Sequence, residues 1–400
     1  EHHEKADIYV INTCTVTNMS DRKSRQMLRR VKELNPNSIV IACGCYVQVA
    51  KDEVAKIEDI DLILGNNEKK NIVEHLEQYQ KDKKRQLEIE DLMQQREFVE
   101  FGDVTYTEKT RAVVKIQDGC DRFCSYCIIP YARGRVRSRK PEGIISEITK
   151  IAQEGIKEVV ITGIHVASYG KDFKENYGLI DLLEDLNKIE GIERIRLSSI
   201  EPLILDEQFI NRLSKLEKIC HNFHLSLQSG CDETLKRMNR RYNTEQFKTV
   251  VNLLRNTYKD AILTADVIVG FPGETEEEFG KTYKFLEDVK FYKTHVFKYS
   301  PRKGTKAAVM ENQIDGNIKE QRSKKLIELS NNFEKEYNES YIGKTVEVLW
   351  EEEKEGIYKG HTQNYLLAYY KPEKGDMNLE NKITKANCIS AESDHIIVEI

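Results

Sequence analysis

The sequence Val113-Val-Lys-Ile-Gln-Asp-Gly-Cys-Asp-Arg-Phe-Cys-Ser-Tyr-Cys127 joins a short apolar run, typical of a β-strand, to a loop with three cysteines. Cys120, Cys124 and Cys127 are separated by three and then by two residues. Short cysteine spacings predict a metal site, and thiolates are the usual ligands of iron–sulfur clusters, which take four cysteines when they only carry electrons. Three thiolates would leave one iron of a four-iron cluster open for a substrate, so the stretch predicts a reactive cluster directly after a strand.

Two plainer roles for these cysteines fit the sequence less well. A structural zinc site needs four ligands in paired short spacings, and the next Cys or His after Cys127 is His165. Disulfides are disfavoured because the chain is long, has an odd total of nine cysteines and shows no secretory leader. These features favour reduced thiols in the cytoplasm, with zinc as the remaining alternative.

The composition is typical of a soluble enzyme. Of the 400 residues, 39% are apolar and 32% are charged, and the formal net charge is -5. A chain of this length exceeds one ordinary core, which predicts two or three domains. No apolar run reaches the roughly 18 residues of a membrane span. The near-neutral charge argues against non-specific coating of nucleic acid, although it allows a local basic groove.

The first predicted domain, residues 1–75, is a small α/β unit. Strand-like runs at residues 8–11, 39–42 and 62–64 alternate with helical stretches such as residues 21–34, which predicts a parallel sheet. Because the chain opens almost directly on a strand, we expect this domain to lack its first strand. The charged and poorly periodic residues 76–110 are predicted to form a linker with some helix.

The second predicted domain, residues 111–339, is an open (β/α)6 partial barrel. Its six strands are predicted at residues 113–117, 158–162, 194–198, 223–227, 263–269 and 295–299. Each is followed by a helical segment, and chemistry in such barrels lies at the carboxyl ends of the strands. The cysteine loop follows the first strand, so a cofactor bound there is expected to face the barrel mouth.

The third predicted domain, residues 340–400, is a small β-barrel. Strand candidates at residues 345–350, 365–370 and 396–400 occur without helical periodicity. Asp and Glu outnumber Lys here, so an RNA-binding role would depend on a local surface such as His361, Asn364 and Tyr365. A stabilising or protein-binding module is the alternative.

Several motifs together resemble the radical S-adenosylmethionine methylthiotransferases over nearly the whole chain. Besides the cysteine loop, they are Asn12-Thr-Cys-Thr-Val16, Gly44-Cys-Tyr-Val-Gln48, Ile129-Pro-Tyr-Ala-Arg-Gly134, Gln228-Ser-Gly230 and residues 266–275. The resemblance implies an α/β multidomain protein with an amino-terminal methylthiotransferase domain truncated at its start, a central radical S-adenosylmethionine partial barrel and a carboxyl-terminal TRAM-like β-barrel.

The resemblance also implies the chemistry. Cys120, Cys124 and Cys127 would hold a [4Fe–4S] cluster whose open iron binds S-adenosylmethionine, and an electron entering the cluster would cleave this cofactor. The resulting deoxyadenosyl radical removes a hydrogen atom from carbon 2 of an adenine, and a second S-adenosylmethionine per turnover methylates the sulfur. The protein then mainly positions the reactants, so no catalytic residue is assigned beyond the cluster ligands.

A second [4Fe–4S] cluster, which delivers the sulfur, is implied on the amino-terminal domain. Cys14 and Cys45 match two of its three ligands, and the third is expected upstream of Glu1. Cys43 is an alternative ligand. Because the turn suggested by Gly44 need not direct Cys43 and Cys45 at one cluster, a buried thiol is the preferred interpretation of Cys43.

For S-adenosylmethionine itself, the resemblance indicates residues in the cysteine loop and at four strand ends. They are Tyr126 for the adenine, Gly163, Ser198, Ser199 and Glu201 for the methionine and ribose groups, and Gln228 and Asp266 nearby. Ser198 and Asp266 could equally be ordinary strand-end hydrogen-bonding residues.

Alternating arginines indicate a polyanionic substrate. Arg133, Arg135, Arg137 and Arg139 would line one face of an extended segment and bind phosphates, and residues 22–32 form another basic run. A solvated surface is the plainer interpretation of each. A target base must leave its stack, which is easiest in a single-stranded loop. The resemblance accordingly implies a tRNA anticodon stem–loop as partner, with Arg133, Arg135, Arg137 and His165 as substrate-binding residues.

Within the family, residues 130–139 and 162–165 most resemble the branch that acts on N6-threonylcarbamoyladenosine at position 37, next to the anticodon. Isopentenyladenosine in tRNA or an aspartate of a ribosomal protein are alternative substrates. A non-catalytic iron–sulfur protein that binds RNA or senses redox state is the alternative from another class. We further expect a flavodoxin- or ferredoxin-type electron donor and a cytoplasmic monomer without membrane contact.

Overall fold

The computed structural model describes residues 4–102, 110–372 and 378–400. These residues form two compact units. The first unit contains residues 4–102, 118–137 and 300–310, and the second contains residues 110–117, 138–299, 311–372 and 378–400. The first unit is therefore built from three segments that are far apart in the sequence.

The first unit has a parallel four-stranded sheet with helices on both faces. Its strands, in both chain and spatial order, are β1 (Ile8–Thr13), β2 (Ile39–Gly44), β3 (Leu62–Leu64) and β4 (Gln86–Glu88). Its helices are α1 (Asn18–Leu34), α2 (Cys45–Val49), α3 (Lys51–Val54), α4 (Ile72–Asp82) and α5 (Ile129–Arg133). The alternation of strands and helices in the sequence correctly predicted this α/β unit.

Apolar residues on alternate positions of the strands fill two cores. Leu28 and Val31 of α1 pack with Val40 of β2 on one face, and Ile41 and Leu62 pack against α4 on the other. Both faces of a parallel sheet must be covered in this way. Helix α1 begins after Thr17, whose side chain accepts a hydrogen bond from the Ser20 amide, as expected of an N-cap threonine.

The segment 76–110, predicted to be a linker with some helix, contributes to this sheet. It contains the second half of α4 and strand β4, which pairs in parallel with β3 from Leu62 to Leu64. The short polar sequence of β4 carries no period-two apolar signal, which explains why the sequence did not predict it. Residues 103–109 of the predicted linker lie outside the described residues.

The second unit contains the six strands predicted for the partial barrel. They form two sheets, in the orders β6-β5-β7-β8 and β11-β10-β9. The strands are β5 (Arg111–Asp118), β6 (Arg137–Ser138), β7 (Glu158–Gly163), β8 (Arg194–Leu197), β9 (Asn222–Gln228), β10 (Ile262–Val269) and β11 (Lys293–Lys298). Beyond the end of β8, Ile200 donates to the carbonyl of His224 at 2.9 Å and so connects the two sheets. Curled sheets of parallel strands confirm the predicted barrel architecture.

Helices follow the strands of this barrel and cover its outside. They are α6 (Pro141–Gln153), α7 (Leu179–Leu186), α8 (Glu207–Leu213), α9 (Asp232–Arg237), α10 (Thr244–Thr257), α11 (Glu276–Val289) and α12 (Gly316–Glu339). Capping boxes fix two of their starts, since Thr275 pairs with Glu278 at α11 and Asn243 pairs with Gln246 at α10.

The carboxyl-terminal strands close into a small barrel in the order β12-β13-β14-β16-β15. The strands are β12 (Thr345–Lys354), β13 (Ile357–Thr362), β14 (Leu367–Tyr370), β15 (Ile383–Ala391) and β16 (Ile396–Glu399). The fully buried Trp350 lies in its core, with Val348 and Ala386. The predicted β-barrel is therefore present, with β13 and β15 added to the three predicted strands.

A buried network of charges joins this β-barrel to the strands of the larger barrel. Glu158 accepts from Arg111 at 2.7 Å and from Arg196 at 2.9 Å, and Arg111 also donates to Glu351 at 2.6 Å. Burial raises the pKa of Glu158, but the adjacent Arg196 and Arg111 outweigh it and lower that pKa to about 2. The ring centroid of Tyr365 lies 3.9 Å from the guanidinium carbon of Arg196. Each of these charges therefore has a partner.

No helix in the described ranges combines the length and the apolar character needed to cross a membrane.

Candidate active site

The cysteine loop leaves β5 through a tight reversal of the chain. Gly119 has a φ of +73°, and a Cβ added there would lie 1.8 Å from the carbonyl oxygen of Arg135, so no other residue fits this position. Phe123 also has a positive φ, of +47°. The amide of Cys127 donates to the carbonyl of Cys124 at 2.9 Å. Two consecutive turns therefore bring Cys120, Cys124 and Cys127 into one short loop.

The donor set in this loop fits an iron–sulfur cluster. The side chains of Cys120, Cys124 and Cys127 are all half-buried, and thiolates are the ligands that such clusters use. Within the described residues, no three His, Cys, Asp or Glu side chains converge closely enough to hold a single metal ion. A four-iron cluster does not require that convergence, because each thiolate binds a different iron.

Cys45 lies in the same unit and contacts the segment that follows the cysteine loop. The Nε of Arg133, at the end of α5, donates to the Sγ of Cys45 at 3.1 Å, and its Nη1 lies 3.5 Å from Asp118. Burial lowers the pKa of Arg133, but the charges of Asp118 and Cys45 outweigh it and raise that pKa. Asn66 donates to the carbonyl of Ala132 at 2.8 Å and reaches Cys45 at 3.8 Å. Two N–H donors therefore face the sulfur of Cys45.

Cys14 is exposed, and a buried arginine holds the residues that follow it. Arg302 is 5% exposed and donates to Oγ1 of Thr15 and to Oδ1 of Asn18, both at 2.6 Å, and it pairs with Asp21. The segment 300–310 thereby fixes the chain between Cys14 and the start of α1. Local periodicity carries no signal for this contact, because Arg302 and Thr15 are 287 residues apart.

Cys43 has a different environment from Cys45. It lies in the core formed by Ile41, Leu62 and Leu64, and its Sγ donates to the carbonyl of Ile11 at 3.8 Å. Burial raises the pKa of the Cys43 thiol. These properties are those of a neutral core thiol, in agreement with the preferred interpretation of its sequence position.

The alternating arginines do not form the exposed strip that we expected. Arg133 contacts Cys45, and Arg137 is 2% exposed and donates to the carbonyl of Arg133 at 2.7 Å. Arg139 pairs with Glu147. Arg135 is solvent-accessible, 3.2 Å from Asp121. The prediction of one arginine-lined face was wrong because it assumed an extended segment. Arg133 ends a helix and Arg137 begins a two-residue strand, so the segment is not continuously extended.

In the second unit, predicted cofactor residues at the ends of β7 and β8 are connected by His165. Its Nε2 lies 3.1 Å from Oε2 of the buried Glu201, and its amide donates to the side chain of Gln117 at 2.8 Å. Gly163 lies against Gln117, where an added Cβ would be 3.0 Å from that residue's carbonyl oxygen. His165, predicted to bind substrate, is thus held by Glu201 and by Ser168 at 2.7 Å.

The serines after β8 differ in their partners. The Oγ of Ser198 is buried and has no hydrogen-bond partner among the described residues. The Oγ of Ser199 lies 2.8 Å from that of Ser226 on β9. A buried hydroxyl without a partner is unusual in proteins, and this property distinguishes Ser198 from Ser199.

The remaining predicted cofactor residues lie on β9 and β10. Gln228 ends β9 with a φ of +69°, a conformation that is uncommon outside glycine. Asp266 is in the middle of β10, and its Oδ2 lies 3.1 Å from Nε2 of His224. His295 on β11 lies beside His224, and burial together with that neighbour lowers the pKa of His295. Sequence reasoning missed both histidines. In the sheet register His295 is opposite Asp266, and His224 is opposite Thr264, two residues before it. Tyr126 is half-buried in the first unit, between two of the loop cysteines.

The predicted RNA surface on the terminal β-barrel is occupied by contacts within the second unit. His361 lies 2.6 Å from Glu351, and its ring stacks on that of Tyr365, which in turn covers Arg196. Asn364 is buried and donates to the carbonyl of Asp260 at 2.7 Å. These residues attach the β-barrel to the larger barrel, as expected of the stabilising module that the sequence analysis gave as the alternative. RNA binding by this surface stays a prediction, and Tyr365 is 36% exposed.

Two protein families match the chain. The Radical SAM superfamily matches residues 114–286, and the uncharacterized protein family UPF0004 matches residues 1–65. Among solved structures, the radical S-adenosylmethionine methyltransferase TsrM from Kitasatospora setae is similar, with a TM-score of 0.55 and 15% identity over 76% of this chain and 66% of that chain. This likeness concerns the fold.

Curated relatives match almost the full length. The threonylcarbamoyladenosine tRNA methylthiotransferase MtaB of Bacillus subtilis is 41% identical over 397 residues, which cover 98% of this chain and 87% of the relative. The tRNA-2-methylthio-N(6)-dimethylallyladenosine synthase of Clostridium botulinum is 36% identical and covers 99% of this chain and 90% of the relative. With the fold and the cysteine motifs, these identities establish that the chain belongs to the radical S-adenosylmethionine methylthiotransferases, a family of enzymes.

Proposed function

We propose that this enzyme adds a methylthio group to carbon 2 of N6-threonylcarbamoyladenosine at position 37 of tRNA, next to the anticodon. The relative named for this nucleoside is 41% identical over nearly the whole chain, whereas the relative named for dimethylallyladenosine is 36% identical. The difference supports the threonylcarbamoyl substrate. Dimethylallyladenosine, which is isopentenyladenosine, is the second candidate because a relative acting on it also covers the chain.

The observation that carries the proposal is the meeting of two cysteine motifs in the first unit. Arg133 belongs to the segment after the cysteine loop, and its Nε lies 3.1 Å from Sγ of Cys45. We assign Cys120, Cys124 and Cys127 to the radical-generating [4Fe–4S] cluster, and Cys14 and Cys45 to a second cluster of the same type. Such clusters, with S-adenosylmethionine, supply the radical and the sulfur for the reaction.

The protein's own residues then position these groups. Arg133 and Asn66 direct N–H groups at the sulfur of Cys45, and hydrogen bonds to ligand sulfurs raise the reduction potential of a cluster. Arg302 fixes the chain after Cys14. We assign S-adenosylmethionine binding to Tyr126, Gly163, Ser198, Ser199, Glu201, Gln228 and Asp266. Of the arginines predicted to bind RNA, the solvent-accessible Arg135 is the one retained for phosphate contact.

The family membership supports the remaining assignments. We propose action in the cytoplasm on the tRNA anticodon stem–loop. Two S-adenosylmethionine molecules would be used per turnover, with a flavodoxin- or ferredoxin-type donor, and the protein would act as a monomer.

The test is anaerobic reconstitution with iron, sulfide, a strong reductant and S-adenosylmethionine, with an anticodon stem–loop that carries threonylcarbamoyladenosine. We expect deoxyadenosine and a methylthio product by mass spectrometry. Cys124→Ala should form neither while keeping its RNA affinity, and the matched variant Cys388→Ala, a buried thiol of β15, should form both. The same assay is run with a stem–loop that carries isopentenyladenosine, and a methylthio product on that RNA alone would favour the second candidate. If the unaltered protein releases no deoxyadenosine, the assignment as a radical enzyme is contradicted.

A further inference from the structure

A polar cavity of about 460 Å³ lies within the first unit. Its walls are α1, the residues from Tyr46 to Glu53 and the segment 300–310, and Ile128 also lines it. Nothing in the site described above occupies this space. Its volume is in the range of pockets that hold small molecules or a single side group.

Three charged side chains of the cavity wall form no ion pair in the described part of the chain. Within the described residues, Arg25 of α1 and Lys51 of α3 line the cavity without an ion pair, as does Asp52. In contrast, Arg302 is paired with Asp21, and Lys303 lies 3.4 Å from Glu53. The hydrogen bond to Tyr46, together with the nearby charges of Asp21 and Glu53, raises the pKa of Arg25. Because neither carboxylate forms an ion pair with it, the guanidinium can still bind a ligand that carries a negative charge.

Arg25 is held in place before any ligand binds. Its Nη1 donates to the hydroxyl of Tyr46 at 3.1 Å, and its guanidinium carbon lies 5.6 Å from the centre of that ring. Tyr46 is 1% exposed, and its hydroxyl lies 3.4 Å from Glu53. The guanidinium offers five N–H donors in a planar fork, which binds a carboxylate in two-point fashion.

Two buried polar atoms of residues that line the cavity have unmet hydrogen-bonding capacity. The Nε of Arg302 and the Oδ1 of Asp21 are buried, and neither has a hydrogen-bond partner in the part of the chain that the structure describes. Buried polar atoms are nearly always satisfied by protein, water or ligand.

The cavity adjoins all three cysteine motifs. Ile128 directly follows Cys127, Tyr46 directly follows Cys45, and Asn18 lies in the first turn after the loop of Cys14. In adenine, carbon 2 and the nitrogen N6 lie on the same edge of the ring. A base whose carbon 2 is presented to these motifs therefore extends its N6 substituent into their immediate surroundings.

We propose that this cavity binds the threonylcarbamoyl group on N6 of the target adenosine, with Arg25 as the residue that holds its carboxylate. Lys51 adds positive charge to the cavity wall, and Asp52 accepts from the hydroxyl of the threonyl group. An isopentenyl group would leave these charges unpaired, so the cavity selects the charged substituent. This inference rests on the proposed function, since it concerns the substrate of the same reaction.

The experiment compares RNA affinities and needs no catalysis. Dissociation constants are measured for two anticodon stem–loops that differ only at position 37, one with threonylcarbamoyladenosine and one with adenosine. The unaltered protein should prefer the modified RNA, and Arg25→Ala should reduce that preference about ten- to hundredfold, the range for a hydrogen bond to a charged group. The preference is the ratio of the two dissociation constants. Because both RNAs make the same phosphate contacts, the contribution of these contacts cancels in that ratio.

Arg29→Ala is the matched control, since Arg29 is an exposed arginine one turn further along α1 and does not line the cavity. It should keep the full preference, and Arg25→Lys should keep part of it. A third stem–loop, whose threonyl carboxylate is replaced by an amide, should bind unaltered protein as weakly as Arg25→Ala binds the natural group.

A preference that persists in Arg25→Ala would overturn the inference, even if the enzyme methylthiolates this RNA. A preference that is lost in Arg25→Ala and kept in Arg29→Ala would support the cavity, even if the unaltered protein forms no product. The proposed function is tested separately, by whether the unaltered protein forms the methylthio product.

Discussion

The charged residues around Glu158 and those around Arg25 illustrate two uses of charge in this molecule. Around Glu158, every carboxylate and guanidinium has a partner within about 3 Å, and Glu158 itself is fully buried. Around Arg25, the charges line an open cavity and several have no ion pair in the described residues. Removing one partner from a buried pair is costly for folding, whereas unpaired charges at a cavity can be exchanged at little cost. The first group serves stability and the second serves a ligand.

The largest expected effect is that of Glu158→Gln. This change leaves Arg111 and Arg196 without their shared carboxylate, and loss of one partner from a buried pair typically costs about 3 to 5 kcal/mol. Urea unfolding at neutral pH measures it. Glu352→Gln, which removes an exposed pair with Lys359 at 3.1 Å, is the control and should cost no more than about 1 kcal/mol. If both variants lost the same free energy of unfolding, the buried charges around Glu158 would be no more important for stability than an exposed ion pair.

Acid should weaken the same network. The pKa of Glu158 falls from an ordinary 4.5 to about 2 on folding, so the unfolded chain binds the proton first as the pH drops. The stabilisation is complete above pH 4.5 and disappears as the pH falls towards 2, with a total of about 3 kcal/mol. Unfolding of the unaltered protein and Glu158→Gln at a series of pH values checks this. Their difference should shrink on acidification, and a constant difference would contradict the assigned pKa.

A smaller effect is expected for Tyr365→Leu. The ring covers the guanidinium of Arg196 at 3.9 Å, and loss of such a contact costs about 1 to 2 kcal/mol. Affinity for the anticodon stem–loop should stay within twofold, measured by fluorescence titration. Loss of affinity without loss of stability would restore Tyr365 to an RNA-binding surface.

The smallest effect on stability is expected for Arg25→Ala. The side chain is half-exposed and makes one hydrogen bond, to Tyr46, so the free energy of unfolding should change by about 0.5 kcal/mol or less. Thermal unfolding beside Arg29→Ala measures it. If the free energy of unfolding fell by several kcal/mol, Arg25 would have a structural role like that of the charges around Glu158.

The sequence predicted the fold best where burial is continuous. The six barrel strands are apolar runs between helices, and their positions agree with β5 and β7–β11 within a few residues. Strand β4 was missed because it is short and polar, and β13 was missed because its residues Ile357–Thr362 include Lys, Gly and His. Such strands form because neighbouring strands offer hydrogen bonds, which local sequence does not record.

For the site, the cysteine spacings could be read from the sequence, while the partners of single side chains could not. The contacts of Arg133 with Cys45 and of Arg302 with Thr15 span 88 and 287 residues. The prediction from the alternating arginines was wrong because it assumed an extended chain, whereas Arg133 is the last residue of helix α5. The cavity around Arg25 likewise depends on four segments that are far apart in the sequence.

The clamp made by Arg302 also constrains the order of biosynthesis. During translation, Thr15 and Asn18 leave the ribosome long before Arg302 is polymerised. The nascent Cys14 segment therefore lacks its clamp until most of the polypeptide has been made, and domains otherwise tend to fold from the amino terminus as they emerge. The Cys14 segment is accordingly expected to reach its final conformation late, only after the residues around Arg302 have been synthesised.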